Sequence, residues 1–289
     1  MYTICKSAAI AFLLFPIIFG QAHATPMHSF VVSDVVVNSG QARQIESFVH
    51  LLSEKSGYPM QAVFTSNYTE LSNILREHPD AVGWTCGAPY VEDHKAYGQQ
   101  LIAVPLFHGK PLYHSLILAR KGRPEKRLAD FKGEVLAYSD IRSNSGFVSP
   151  AYALLGKHID ISKYFRLTID TGSHENSIAA LLSGLADVAA VDEYVWVEYV
   201  KAHPEAAGKL QELERMGPYP FTPVVAGHGI DERTKKKLQD ALTSMKAGSQ
   251  IMLSFGLDGF TLEPDSFYAP IAKMLDAIRP EGSNAGHAQ

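Results

Sequence analysis

The feature that most constrains this chain is an alternation. Short apolar runs with strand character are separated by segments whose apolar residues recur at helical spacing. The runs "SFVVSDVVV" (Ser29–Val37), "MQAVFT", "AVGWTC" and "QLIAVPLFHG" have helical patterns between them, and "YHSLILARKG" follows directly. In "ARQIESFVHLLSEKSG" the residues Ile45, Phe48, Val49 and Leu52 share one face, and Gly57 supplies the stop. Strands alternating with helices bury both faces of a sheet, so the chain is predicted to be α/β.

After "GRPEKRLADFKG" the cycle starts again. "EVLAYSD" reads as a strand, "GFVSPAYALLGKH" as a helix, "YFRLTIDTG" as a strand, and "ADVAAVD" as a short buried strand followed by the helix "EYVWVEYVKAH". "YPFTPVVAG" reads as a further strand, before the amphipathic helix "DERTKKKLQDALTSMKAG" and a last helix, "DSFYAPIAKMLDAIRP". This repetition predicts two lobes. One comprises residues 25–113 and 224–289, the other residues 114–223, with chain crossings at Leu112–Arg120 and Phe221–Gly227. Two crossing strands make a hinge, and the cleft between the lobes is where a small ligand would sit. The polar tail, 281–289, is expected to be disordered.

Composition excludes several functions. The 289 residues carry a net charge of −4, with 46% hydrophobic content. There is no basic field to attract nucleic acid, and Lys235–Lys237 reads as a solvated helix face. Lys6, the apolar stretch Ala8–Phe19 and the small-x-small pattern Ala22-His23-Ala24 read as an export signal, residues 1–24, cleaved after Ala24. The apolar stretch is shorter than the roughly 20 residues a membrane span needs, so the mature chain is expected to be periplasmic and not inserted in a membrane. Removal of the signal takes Cys5 with it and leaves Cys86, which cannot form an internal disulfide and reads as a small buried hydrophobe.

Three segments end a strand and open a helix with small polar residues: "GWTCGAPYVED" (Gly83–Asp93), "YSDIRSNSGFVSP" (Tyr138–Pro150) and "TGSHENS" (Thr171–Ser177). Free amides at a helix start attract anions, and Ser143, Ser145, Thr171 and Ser173 add hydroxyls. Gly146 would let a ligand approach the main chain. Each serine is equally suited to capping its helix. His174 has three readings, as base, metal ligand or hydrogen-bond donor. No G-x-S-x-G elbow accompanies it, and His108 and His114 are poorly spaced for a metal. Asp192 ends a buried strand, so it either caps the next helix or receives a proton from a ligand's P–OH or ammonium group. Tyr90 is expected in the cleft.

Taken together, "VGWTCGAPYVED", "LADFKGEVLAYSDIRSNSGFVSP", "TGSHENSIAALLSGLADVAAVDEYVW" and "GPYPFTPVVAG" resemble the phosphate, phosphite and phosphonate periplasmic substrate-binding proteins of ABC importers, from about Phe30 to Arg279. The resemblance implies a type-II periplasmic-binding-protein fold with a two-strand hinge and an interlobe cleft. It implies a ligand oxyanion held by Ser143, Asn144, Ser145 and His174, with Asp192 and Tyr90 lining the same pocket. It also implies a small anionic ligand, a permease partner, and neither catalysis, metal nor cofactor. Asn144 departs from the histidine or threonine common at its position, and the first loop, "SDVVVNSGQARQ", shows no alignable motif. Other roles remain open at this level: the same fold as a ligand-sensing partner of a membrane sensor kinase, or binding a different small molecule, and a secreted phosphoester hydrolase using His174 with Asp192 or Glu175.

Overall fold

The computed structural model describes residues 27–35 and 41–278. The signal segment, the end of the first predicted strand at Val36 and Val37, and the tail 281–289 lie outside them. In chain order the first lobe holds β1 (His28–Ser33), α1 (Ala42–Ser56), β2 (Met60–Thr65), α2 (Tyr68–Glu77), β3 (Val82–Trp84), α3 (Gly87–Tyr97) and β4 (Gln100–Pro105). The second lobe holds β5 (Leu112–Arg120), β6 (Val135–Tyr138), α4 (Ser149–Leu155), α5 (Ile161–Tyr164), β7 (Leu167–Asp170) and α6 (His174–Ser183). It continues through β8 (Val188–Asp192), α7 (Glu193–Ala202), α8 (Pro204–Lys209) and β9 (Leu210–Pro220). The chain then returns to the first lobe with β10 (Val224–Ala226), α9 (Glu232–Thr243), α10 (Gln250–Phe255), β11 (Phe260–Thr261) and α11 (Ala269–Ile278).

The first sheet has six strands in the order β11-β4-β10-β3-β1-β2, and the second has five in the order β7-β6-β8-β5-β9. β1, β2 and β3 run parallel, as do β6, β7 and β8. The carboxyl ends of parallel strands are where α/β sheets place ligand groups, and here β6 and β8 end in Tyr138 and Asp192.

Apolar patterning explains the layers. In α1 the predicted Ile45, Phe48, Val49 and Leu52 are buried, and Gly57 closes the helix with φ 64°, a conformation that glycine adopts without strain. β5 is continuous in hydrophobicity because both its faces are covered. Leu116 and Leu118 pack toward Ile178 and Leu181 of α6, while Ile117 and Ala119 pack toward Phe131 and Leu154. The first lobe's core reaches across to Tyr113, Val148, Tyr194 and Val195 of the second lobe, and α11 rests on both α3 and α4.

The crossings differ from the expectation. Leu112–Arg120 pairs along its length with β8 and β9 inside the second sheet. The chain passes between sheets at residues 106–111, and returns at residues 221–223 rather than along a continuous strand to Gly227. β9, an edge strand that pairs with β5 among the described strands, exposes Glu212 and Arg215 and so lacks an apolar signature in the sequence.

At the end of β10 the backbone of Gly227 lies against Pro79: an added Cβ would meet the Pro79 carbonyl oxygen at 2.4 Å and its Cα at 2.8 Å. Gly227→Ala is therefore expected to lower unfolding free energy by about 1–3 kcal/mol, the usual cost of overpacking. Urea denaturation checks this, and an unchanged midpoint would contradict it.

Candidate functional site

The strand-to-helix junctions of both lobes meet face to face. β6 leads into the loop Ser139–Ser143 and then a wide turn, Asn144–Val148, in which Ser143 Oγ accepts from the Gly146 amide at 3.0 Å. An added Cβ at Gly146 would meet Ser139 Oγ at 2.5 Å, so hydroxyls of the protein itself occupy the space expected for a ligand. α6 begins at Ser173, whose side chain accepts from Asn176 N, and Thr171 Oγ1 contacts Tyr138 O, Ser173 O and Ser177 Oγ. Thr171 and Ser173 thus serve the local turn and the helix cap.

His174, Ser143, Asn144, Ser145 and Asp192 are brought together, and all are at most 1% exposed. The Asp192 amide donates to His174 Nδ1 at 3.2 Å. An amide can only donate, so Nδ1 is the acceptor and a neutral ring carries its proton on Nε2. Burial pushes the imidazole down to about 3, against the opposing pull of the Ala190 backbone, so the ring is neutral at physiological pH. Nε2 faces Ser139 Oγ at 3.2 Å and Ser143 Oγ at 3.4 Å.

Of the two roles left open by the sequence, Asp192 takes that of helix cap. Oδ1 caps α7 by accepting from Tyr194 N at 2.8 Å and Val195 N at 3.4 Å, while Oδ2 lies 3.4 Å from Ser145 Oγ. Burial pushes its carboxyl up to about 7, against the hydrogen bonds that favour the anion.

Tyr90, expected in the cleft, finds its polar partner within the first lobe. It is buried, but its hydroxyl donates to Asp265 and its ring packs edge-on against Tyr268, which directs it toward the C-terminal segment. As the fourth residue of α3, it points away from the helix start that faces the second lobe. Two tyrosines absent from the sequence reading join the site instead. Tyr113 accepts from Asn144 Nδ2 at 3.0 Å, and Tyr68 packs against Val35 and Cys86. Tyr68 opens α2 after the cap Asn67, so "TSNYTE" is a fourth junction of the same kind as the three singled out above.

Two buried polar atoms on residues that contact Cys86 have no hydrogen-bond partner among the described residues, Tyr68 OH and Asn144 Oδ1, and Thr85 Oγ1 on the preceding residue is a third such buried atom. Tyr68 packs on Cys86, Thr85 precedes it, and the Asn144 amide donates to Cys86 Sγ at 3.3 Å. Burial pushes the Cys86 thiol up to about 11, which keeps it protonated. Buried polar groups are nearly always paired, so unpaired atoms on residues that contact Cys86 are unusual for a packed interface. These side chains bring no permanent positive charge. Arg142, next to Ser143, turns its guanidinium to Glu92 and Asp93 instead. The arrangement suits an anion held by neutral donors between lobes, beside one carboxyl able to accept a proton.

Fold and site together define a two-lobed solute-binding protein of the type-II periplasmic class. Residues 37–268 match the family model described as ABC transporter, phosphonate, periplasmic substrate-binding protein, and the chain belongs to that family. It is 24% identical over 227 residues to the phosphonates-binding periplasmic protein of Escherichia coli K12, covering 76% of this chain and 67% of that one. Among solved structures, it is similar to a binding-protein component of an ABC phosphonate transporter from Pseudomonas aeruginosa, at TM-score 0.79 and 22% identity, covering 87% of this chain and 86% of that one. It is also similar to a Prochlorococcus marinus protein solved in complex with methylphosphonate, at TM-score 0.75 and 19% identity, covering 86% of this chain and 97% of that one.

The two buried titrating groups oppose each other in their effect on stability. His174 stays neutral down to about pH 3, whereas the unfolded residue protonates near 6.5; its contribution therefore rises with pH across that window. Asp192 stays protonated up to about pH 7, whereas the unfolded residue ionises near 3.8; its contribution falls as pH rises across that window. Between roughly pH 4 and 6.5 the slopes cancel. Asp192→Asn should therefore gain up to about 1.4 kcal/mol per pH unit relative to the wild type over pH 4.5–6, and His174→Gln should lose as much. Denaturant titrations at several pH values decide this, and slopes parallel to the wild type would contradict it.

Proposed function

We propose that this protein captures a small phosphorus oxyanion, a phosphonate or the related phosphite or phosphate, between its lobes, and delivers it to an ABC permease. The observation that carries this reading is the orphaned Tyr68 hydroxyl in the same buried interface as the Nε2–H of a neutral His174. Ser143, Asn144 and Ser145 add hydroxyls and amides from the opposite junction. Asp192 accepts a proton from the ligand, as P–OH or as an ammonium group on its organic arm. The chain is exported to the periplasm by its first 24 residues and cleaved after Ala24.

The same hydrogen bond argues against hydrolysis. A serine–histidine nucleophile needs an imidazole that accepts from the hydroxyl and donates its other proton to a carboxylate. Here the Asp192 amide occupies Nδ1, Nε2 carries the proton, and the Asp192 carboxylate caps a helix. A protonated Nε2 donates and does not act as a base. We infer a binder and not a catalyst.

Isothermal titration with phosphate, phosphite, methylphosphonate and 2-aminoethylphosphonate at pH 7 tests the reading. Binding of at least one is expected, and heat from none would remove it. His174→Ala, Ser145→Ala and Tyr68→Phe should each weaken the bound ligand by about 1–3 kcal/mol. Methylphosphonate affinity should fall between pH 6.5 and 8.5, as ionised Asp192 comes to face a dianion. Normal binding by all three variants would place the ligand elsewhere.

A further inference from the structure

Arg142 lies one residue before the Ser143–Ser145 loop, but its side chain leaves the second lobe and inserts into the first. Nε donates to Glu92 Oε2 at 2.9 Å, Nη2 to Asp93 Oδ1 at 2.8 Å, and Nη1 to Ser72 Oγ at 2.7 Å and the Tyr68 carbonyl at 3.4 Å. The guanidinium thereby ties α2 and α3 together from across the cleft. The Arg142 side chain is 14% exposed and that of Asp93 is 6%. The loop is fastened a second time: Asp140 accepts the Arg142 amide through Oδ1 at 2.6 Å, and the Tyr68 amide through Oδ2 at 3.2 Å.

None of these bonds passes through the space assigned to a ligand. They also lie away from the pivot, unlike the contacts of Tyr194. Tyr194, which donates to Phe255 O at 2.8 Å, packs on Phe107 and Phe221, residues of the two connections about which the lobes would turn. Contacts at a pivot move little on opening. The partners of Arg142 belong to α2 and α3, apart from both connections, so separating the lobes must break this set and rehydrate a guanidinium and two carboxylates. A planar fork with several fixed donors suits this geometry, and the single ammonium of a lysine reproduces only part of it.

We propose that Arg142 is a positioning residue for binding: its guanidinium clamps the second lobe to α2 and α3, holds the Ser143–Ser145 loop against the site, and biases even the empty protein toward the closed form. Ligand release then requires the clamp to open, so Arg142 governs the off-rate while touching no ligand atom.

Solution X-ray scattering of ligand-free wild type, Arg142→Gln, Arg142→Lys and Glu92→Gln at low ionic strength tests this directly. Circular dichroism confirms that each is folded, and Glu92→Gln probes the clamp from the other lobe should Arg142→Gln not fold. The Gln variants should show a larger radius of gyration than the wild type, with Arg142→Lys between. Stopped-flow release of methylphosphonate is a second readout, and it rests on the phosphonate reading. Arg142→Gln should release roughly tenfold faster or more, with the on-rate nearly unchanged. A radius of gyration equal to the wild type in both Gln variants overturns the proposal whatever the ligand data show. Failure of the wild type to bind methylphosphonate, phosphite or phosphate removes the phosphonate reading and leaves the clamp to be judged by scattering.

Discussion

One hydrogen bond decides what this site can do: the amide of Asp192 donating to Nδ1 of His174. It joins the end of β8 to the start of α6, two elements separated by a whole turn of chain. An amide hydrogen at Nδ1 favours the tautomer with its proton on Nε2, against the pull of the Ala190 carbonyl, which also reaches the ring. Complete burial removes the remaining freedom by keeping the ring neutral. The outcome is an N–H donor at Nε2 directed at the Ser139 and Ser143 hydroxyls. The Asp192 carboxylate is held in the same gesture, with one oxygen on the α7 amides and the other toward Ser145.

The consequence is a site that handles charge with few charges. An anion enclosed between lobes must exchange its water shell for hydrogen bonds, and neutral donors supply these without a buried cation to be desolvated when the cleft is empty. The one strongly basic side chain at hand, Arg142, is committed to the first lobe's acids. One short loop, Asp140–Ser145, thus divides its side chains between two surroundings. Its serines and asparagine face the orphan cluster, while its aspartate and arginine reach across to α2 and α3.

The architecture was legible wherever burial is two-sided. β5 and β8 read as continuous apolar runs because sheet 2 is covered on both faces, and α1 announced its buried face and its glycine stop. β9 did not, since an edge strand with one solvated face carries acids and arginines and resembles a polar segment. The first crossing was expected within Leu112–Arg120 but falls just before it, at residues 106–111, while the return, expected at Phe221–Gly227, falls at residues 221–223. At the site, the helix starts picked out in the sequence are junctions that the fold brings together, and His174, Asp192 and the Ser143–Ser145 loop lie in one buried group. Tyr90 was drawn in by its neighbours in sequence, whereas its position on α3 turns it to Asp265. Tyr68 went unnoticed because a tyrosine following Asn67 reads as an ordinary helix start. Only the fold shows that this start faces the other lobe.

The central claim is that an oxyanion sits between the lobes at the orphan cluster, on Nε2 of His174. A crystal structure of the protein grown with methylphosphonate tests it most directly. The account predicts one ligand enclosed between the lobes, its oxygens within hydrogen-bond distance of His174 Nε2 and Tyr68 OH, with Nδ1 still accepting from the Asp192 amide. A ligand bound outside this interface, or one contacting neither group, would contradict it.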